Sequence, residues 1–190
     1  VDVHEEASDS VDVYESAALP PATDGATYID GILLVNKQYA LPQNYGNGLD
    51  ATAYQAFLQL QADAAKAGHS IPLVSGYRSY SYQAQLYDSY VARDGQAAAD
   101  RYSARPGHSE HQSGLAMDVG AIDNNYGQTP AGQWLNAHCA EYGFILRYPQ
   151  GKESITGYMY EPWHIRYVGS AAAKAIMTYG LTLEENLSVA

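Results

Sequence analysis

Apolar residues recur at helical spacing in several stretches, and short β-branched or alternating runs lie between them. From Tyr28 the run YIDGILLVNKQYALP is apolar and ends at a proline, which predicts an extended segment on the surface or edge of a domain. Asp50 stands where a helix N-cap belongs. It precedes a predicted helix through about Ala67, with Tyr54, Phe57, Leu58 and Ala65 as its apolar stripe and Gly68 as its stop. The run IPLVSGYRS predicts a short buried strand broken at Ser75-Gly76. A helix capped by Ser79 or Ser81 follows, carrying Leu86, Tyr87 and Tyr90, so Arg78 sits at a strand-to-helix junction. In GLAMDVG the alternation places Leu115, Met117 and Val119 on one face and Ala116 and Asp118 on the other, predicting a strand with one buried face. Thr129-Pro130 opens a further helix bearing Trp134, Leu135, His138 and Tyr142, with Gly143 at its end. Residues 144–146 and 163–168 read as strands, and 170–179 as a last substantial helix stopped by Gly180. Helices and short strands mix without a regular βαβ alternation or a repeat. The expected class is therefore α+β, a small antiparallel sheet flanked by helices.

Composition refines this picture. The chain has 190 residues with 46% hydrophobic content, enough for one domain with a real core. Its net charge of -11 is unevenly placed. Residues 1–30 hold eight acids and no Lys or Arg, so the rest carries 13 acids against 10 bases. Residues 1–27, rich in acids, Ser and Ala with a Pro-Pro pair, read as a flexible acidic leader ahead of a domain spanning 28–190. A nearly neutral domain argues against nucleic acid as a partner, because phosphate binding needs a basic face. No apolar run approaches the roughly 20 residues of a membrane-spanning helix, and the first residues lack the basic start and apolar stretch of a signal peptide. A single cysteine, Cys139, allows no internal disulfide and leaves the redox compartment open.

Two clusters combine imidazole with carboxylate: Ser109-Glu110-His111 followed by Asp118, and Glu161-Pro162-Trp163-His164. Zinc takes neutral His nitrogens and Asp or Glu oxygens, and a catalytic zinc keeps three protein ligands and an open position. His111, Asp118 and His164 would supply such a set. Glu161, offset by three residues from His164, would lie near the ion without binding it and could carry protons during hydrolysis.

Three blocks in this chain, SGYRSYSYQAQLY (75–87), ARPGHSEHQSGLAMD (104–118) and GYMYEPWHIRYVG (157–169), resemble the zinc D-alanyl-D-alanine carboxypeptidases of the vancomycin-resistance type and the related L,D-carboxypeptidases that trim peptidoglycan stems. The likeness runs from about Leu34 to Leu187 and leaves the acidic leader outside it. It implies one zinc ion per chain on His111, Asp118 and His164, and Glu161 as general base toward a zinc-bound water. It also implies Arg78 on the scissile carbonyl oxygen or the substrate carboxylate, with Gln83 and Ser109 on the substrate. The implied partner is a stem peptide ending in D-alanine, in either a D,D- or an L,D-linkage. Such a substrate lies outside the bacterial membrane, so export is expected, with any signal or anchor outside this chain. Two rivals stand beside this reading: an endopeptidase of the same metal architecture, and a zinc-containing cell-wall-binding module without turnover.

Other residues have plainer readings. His138 and Cys139 belong to the apolar side of the Trp134 helix, and His4 and His69 to the surface. His108 is a competing ligand through its His-x-x-His spacing with His111, at the cost of leaving Asp118 unexplained. Glu110 reads first as a solvated loop carboxylate. Most of the 18 tyrosines are packing residues, whereas Tyr160 and Trp163, flanking Glu161, are candidates for a pocket wall.

Overall fold

The protein is seen here as a computed structural model that describes residues 25–190; most of the acidic leader lies outside the described residues. The chain enters through a hairpin, β1 (Thr27–Ile29) and β2 (Ile32–Leu34), turned at Asp30-Gly31 with both residues at positive φ. Asp-Gly suits that two-residue turn because glycine adopts positive φ freely and aspartate tolerates it. The expected extended segment is thus a folded-back pair. Its Leu33, Leu34 and Val35 are buried.

Helix α1 (Ala51–Lys66) starts where Asp50 accepts the Ala53 N–H at 2.9 Å. Its buried positions are Ala53, Phe57, Leu60 and Ala64. The predicted stripe is therefore rotated: Leu58 is 37% exposed and Ala65 is exposed, whereas Ala53 and Ala64 turn with Phe57 and Leu60 into the core that holds Met117 and Ile165. Strand β3 (Leu73–Ser75) follows, then α2 (Tyr80–Asp94), capped by Ser79 at the Tyr82 N–H, and α3 (Gln96–Tyr102). Next come β4 (Ala116–Val119), α4 (Pro130–His138) capped by Thr129, β5 (Phe144–Leu146) and α5 (Glu153–Thr156). The chain closes with β6 (His164–Tyr167), α6 (Ser170–Tyr179) and α7 (Leu183–Asn186). The predicted helix through Tyr142 tightens at Cys139 into a 3₁₀ turn that ends at Gly143.

Strands β3, β4, β6 and β5 form one antiparallel sheet in that order. Strand β3 lies at one edge of the sheet, and its Val74 is 48% exposed in a segment expected to be buried. Strand β4 is central, and all four of its residues are buried where one buried face was expected. The period of two still governs which way each side chain faces. Met117, Val119, Ile165, Phe144 and Leu146 belong to one core with Phe57, Leu60 and Leu135. Ile145 belongs to a second cluster with Leu34, Ile176 and Leu183. Each fully buried Leu, Ile or Phe contributes about 1.5–3 kcal/mol. The alternate positions of the two central strands carry chemistry instead: Asp118 pairs across from His164, and Ala116 from Arg166.

Candidate active site

His111 comes from a 3₁₀ turn, Glu110–Ser113, capped by the Ser109 hydroxyl, which accepts the His111 N–H at 3.3 Å. Gly114 ends the turn at φ +76, and a Cβ there would stand 2.3 Å from the Gly48 carbonyl oxygen. Only glycine fits this corner. The chain then enters β4, which delivers Asp118 opposite His164 on β6. Glu161 precedes β6 in a turn in which the His164 N–H reaches the Glu161 carbonyl at 3.3 Å.

Among the described residues, His111, Asp118 and His164 are the group of three whose ligand atoms converge, all within 4.8 Å of one another, and all three are buried. His111 Nδ1 lies 2.7 Å from the Gly76 carbonyl oxygen, so Nδ1 carries the proton and Nε2 presents a lone pair. That Nε2 faces Asp118 Oδ1 at 3.3 Å, and neither atom has a hydrogen-bond partner. Two buried acceptors turned toward each other repel unless a cation lies between them. His164 Nδ1 approaches the same Oδ1 at 3.5 Å and Glu161 Oε2 at 3.3 Å, while its Nε2 lies 3.3 Å from Glu110 Oε2. The residues present therefore fit a metal ion on His111 Nε2, Asp118 Oδ1 and His164 Nδ1.

The electrostatics agree. Burial keeps His111 below its ordinary pKa, hence neutral. Burial works against ionising Asp118, yet the charge favoured at His164 and the Arg78 guanidinium, which donates to Oδ2 at 3.0 Å, hold it well below the usual carboxylate range. Burial alone would lower His164, but hydrogen bonds to Glu110 and Glu161 and the Asp118 charge raise it to about 9, so the field at this ring favours positive charge. Glu161, buried beside it, is pushed up by desolvation. A carboxylate with raised proton affinity is suited to accepting a proton.

A cleft of about 500 Å³ is lined by this group together with Arg78, Gln83, Ser109, Glu161 and Trp163. Arg78 donates to Asp118 Oδ2 at 3.0 Å and to Gln83 Oε1 at 3.2 Å. Gln83 spends the rest of its amide on Ser103 Oγ and the Ala104 carbonyl. Tyr160 is not among the cleft-lining residues. Its ring occupies the space over Gly127, where an added Cβ would stand 2.2 Å from its hydroxyl. His108 also lies apart, its Nδ1 2.8 Å from the Asn36 carbonyl oxygen. Glu110 is not a solvated carboxylate but 1% exposed. The sequence reading missed Tyr148 and Tyr158, which line the cleft; the density of aromatics around the Glu161 block was the available signal. Cys139 is buried and its thiol is pushed up to about 12 by desolvation, which leaves it inert. His138 is half-buried, stacked on Trp134 and paired with Glu141 rather than in the core.

Comparison with known proteins points the same way. The family model described as VanY, D-alanyl-D-alanine carboxypeptidase, matches residues 46–170. A Bacillus subtilis protein described as a putative carboxypeptidase, YodJ, is 42% identical over 179 residues, covering 81% of this chain and 66% of the relative. The structure of the LD-carboxypeptidase LdcB is 47% identical with a TM-score of 0.74, covering 83% of this chain and 85% of that one. A vancomycin-resistance D,D-pentapeptidase, VanY from a VanB-type cassette, was solved as a mutant in complex with Zn(II). It is 35% identical with a TM-score of 0.72, covering 81% of this chain and 97% of that one. The chain spans 59–66% of the length of the curated relatives it matches.

Proposed function

Because the chain belongs to the VanY family of D-alanyl-D-alanine carboxypeptidases, we propose that it is a zinc-dependent carboxypeptidase releasing the C-terminal D-alanine of peptidoglycan stem peptides outside the cytoplasmic membrane. The observation that carries this reading is the buried convergence of His111, Asp118 and His164 beside the Glu161 carboxylate in one cleft. The Zn(II) complex of the VanY relative supports the choice of metal.

His111, Asp118 and His164 would hold one zinc ion. When bound, zinc supplies Lewis-acid polarisation of the scissile carbonyl and activation of water. Glu161 takes a proton from the attacking water and returns it to the departing amine, the work its raised proton affinity suits. Arg78, held in place by Asp118 and Gln83, faces the developing oxyanion or the terminal carboxylate of the peptide. Such a preorganised donor is worth about 3–4 kcal/mol in the transition state. Gln83 thus works through Arg78. Ser109 holds the His111 turn at the cleft, and Trp163 provides apolar wall.

Incubating the zinc-loaded protein with synthetic stem peptides of both lengths, one ending in D-Ala-D-Ala and one in an L-centre followed by D-Ala, tests this reading by mass spectrometry. Free alanine and a peptide one residue shorter are expected from at least one of them. An internal cut would identify an endopeptidase, and no turnover of either a binding module.

A further inference from the structure

Behind the metal group lies a buried cluster of charges that the reaction does not use. Glu110 divides its carboxylate between two tasks. Oε1 accepts Arg147 Nε at 2.8 Å and Arg166 Nη1 at 2.7 Å, whereas the partner of Oε2 is His164 Nε2 at 3.3 Å. Both arginines are anchored elsewhere as well. Arg147 forms a two-pronged pair with Glu184 at 2.6 and 2.9 Å, and Arg166 donates to the Leu33 and Tyr167 carbonyl oxygens. Asn36 holds Glu184 in turn. Glu110, Arg147, Arg166 and Glu184 are 0–2% exposed and together carry two charges of each sign.

This arrangement leaves Oε2 one direction to face. Two guanidinium groups fixed to the hairpin, to β6 and to α7 pin Oε1, so the second oxygen lies under the His164 ring. A carboxylate there accepts the Nε2 proton, selects the tautomer with a free lone pair on Nδ1, and raises the donor strength of that nitrogen. His164 Nδ1 is the atom that faces Asp118 and Glu161. The two guanidinium groups on Oε1, at 2.8 and 2.7 Å, hold the carboxylate in this orientation.

We propose that Glu110 is a positioning residue for the metal centre: its Oε2 orients His164 so that Nδ1 binds zinc, and the Arg147–Glu184 and Arg166 anchors fix Glu110 for that task. This rests on the zinc reading and deepens it. Adjacent residues of the SEH block then serve different ligands, His111 as one ligand itself and Glu110 as the support of another contributed by β6.

Zinc affinity, measured by competition with a chromophoric chelator, separates this role from a merely structural one. Glu110→Gln and Glu110→Asp, checked for native circular dichroism, should each bind zinc about 10- to 100-fold more weakly than wild type. Glu184→Gln removes one anchor of Arg147 but leaves Arg147 and Arg166 both on Glu110 Oε1, so it should lower thermal stability while weakening zinc binding by a smaller factor than either Glu110 variant. Nitrogen-15 NMR of the histidine-labelled, zinc-loaded wild type should show His164 protonated at Nε2 and bound through Nδ1, a readout that needs no variant to fold. Wild-type affinity in either folded Glu110 variant, equal loss in Glu184→Gln, or His164 bound through Nε2 would overturn the proposal and leave the zinc reading standing. Failure of the wild type to bind zinc would remove both.

Discussion

Replacing Glu161 with alanine is expected to leave a folded, zinc-binding protein whose release of D-alanine is slower by about 10²- to 10⁴-fold, the usual effect of losing a positioned general base. Glu161 Oε2 lies 3.3 Å from His164 Nδ1, yet Glu161 is not part of the converging group of three. Its removal therefore takes away a proton carrier and not a ligand. Burial makes the loss severe, because a carboxylate at 7% exposure leaves little room for bulk water to take over its proton transfers. D-alanine release and zinc content should be measured on the same samples. A variant that keeps its rate is incompatible with Glu161 as the base, and one that loses its zinc makes Glu161 a ligand.

The second large effect is on stability. Arg147 is fully buried between Glu110 and Glu184, so Arg147→Met would leave two carboxylates without their common cation. Breaking a buried pair from one side costs about 3–5 kcal/mol, which for a domain of this size lowers Tm by roughly 6–20 °C. The exposed pair of Arg101 with Glu153 is a natural control. Exposed pairs contribute about 0–1 kcal/mol, so Arg101→Ala should barely move the transition. Calorimetry on both variants tests the contrast; equal and small shifts would show that the buried network is not a structural anchor.

What could be read from the sequence depended on whether the cause was local. Helix starts were legible because Asp50, Ser79 and Thr129 each cap with their own side chain a backbone N–H three residues on. The convergence of Asp118 and His164 was legible in part, because alternation along GLAMDVG already set Asp118 against Met117 and Val119. The hairpin was overlooked because Asp30-Gly31 is embedded in an apolar run that reads as continuous. The rotated stripe of α1 was missed because alanines at 53 and 64 signal burial weakly compared with Leu58. Glu110 was misread for a different reason. A carboxylate looks solvated until its partners are known, and Arg147 and Arg166 come from β5's exit and from β6, 37 and 56 residues away. Tyr160 likewise turned on a distant glycine, Gly127, which leaves room for its ring outside the cleft.

Zinc on His111, Asp118 and His164 as the source of carboxypeptidase turnover is open to a direct test by zinc titration. Metal-free protein is given increasing zinc while bound metal and D-alanine released from a stem peptide are followed together. No release is expected without metal, followed by a rise that levels off at one zinc per chain, with both bound metal and activity lost in Asp118→Ala. Full release from the metal-free protein, or saturation unaffected by Asp118→Ala, would contradict it.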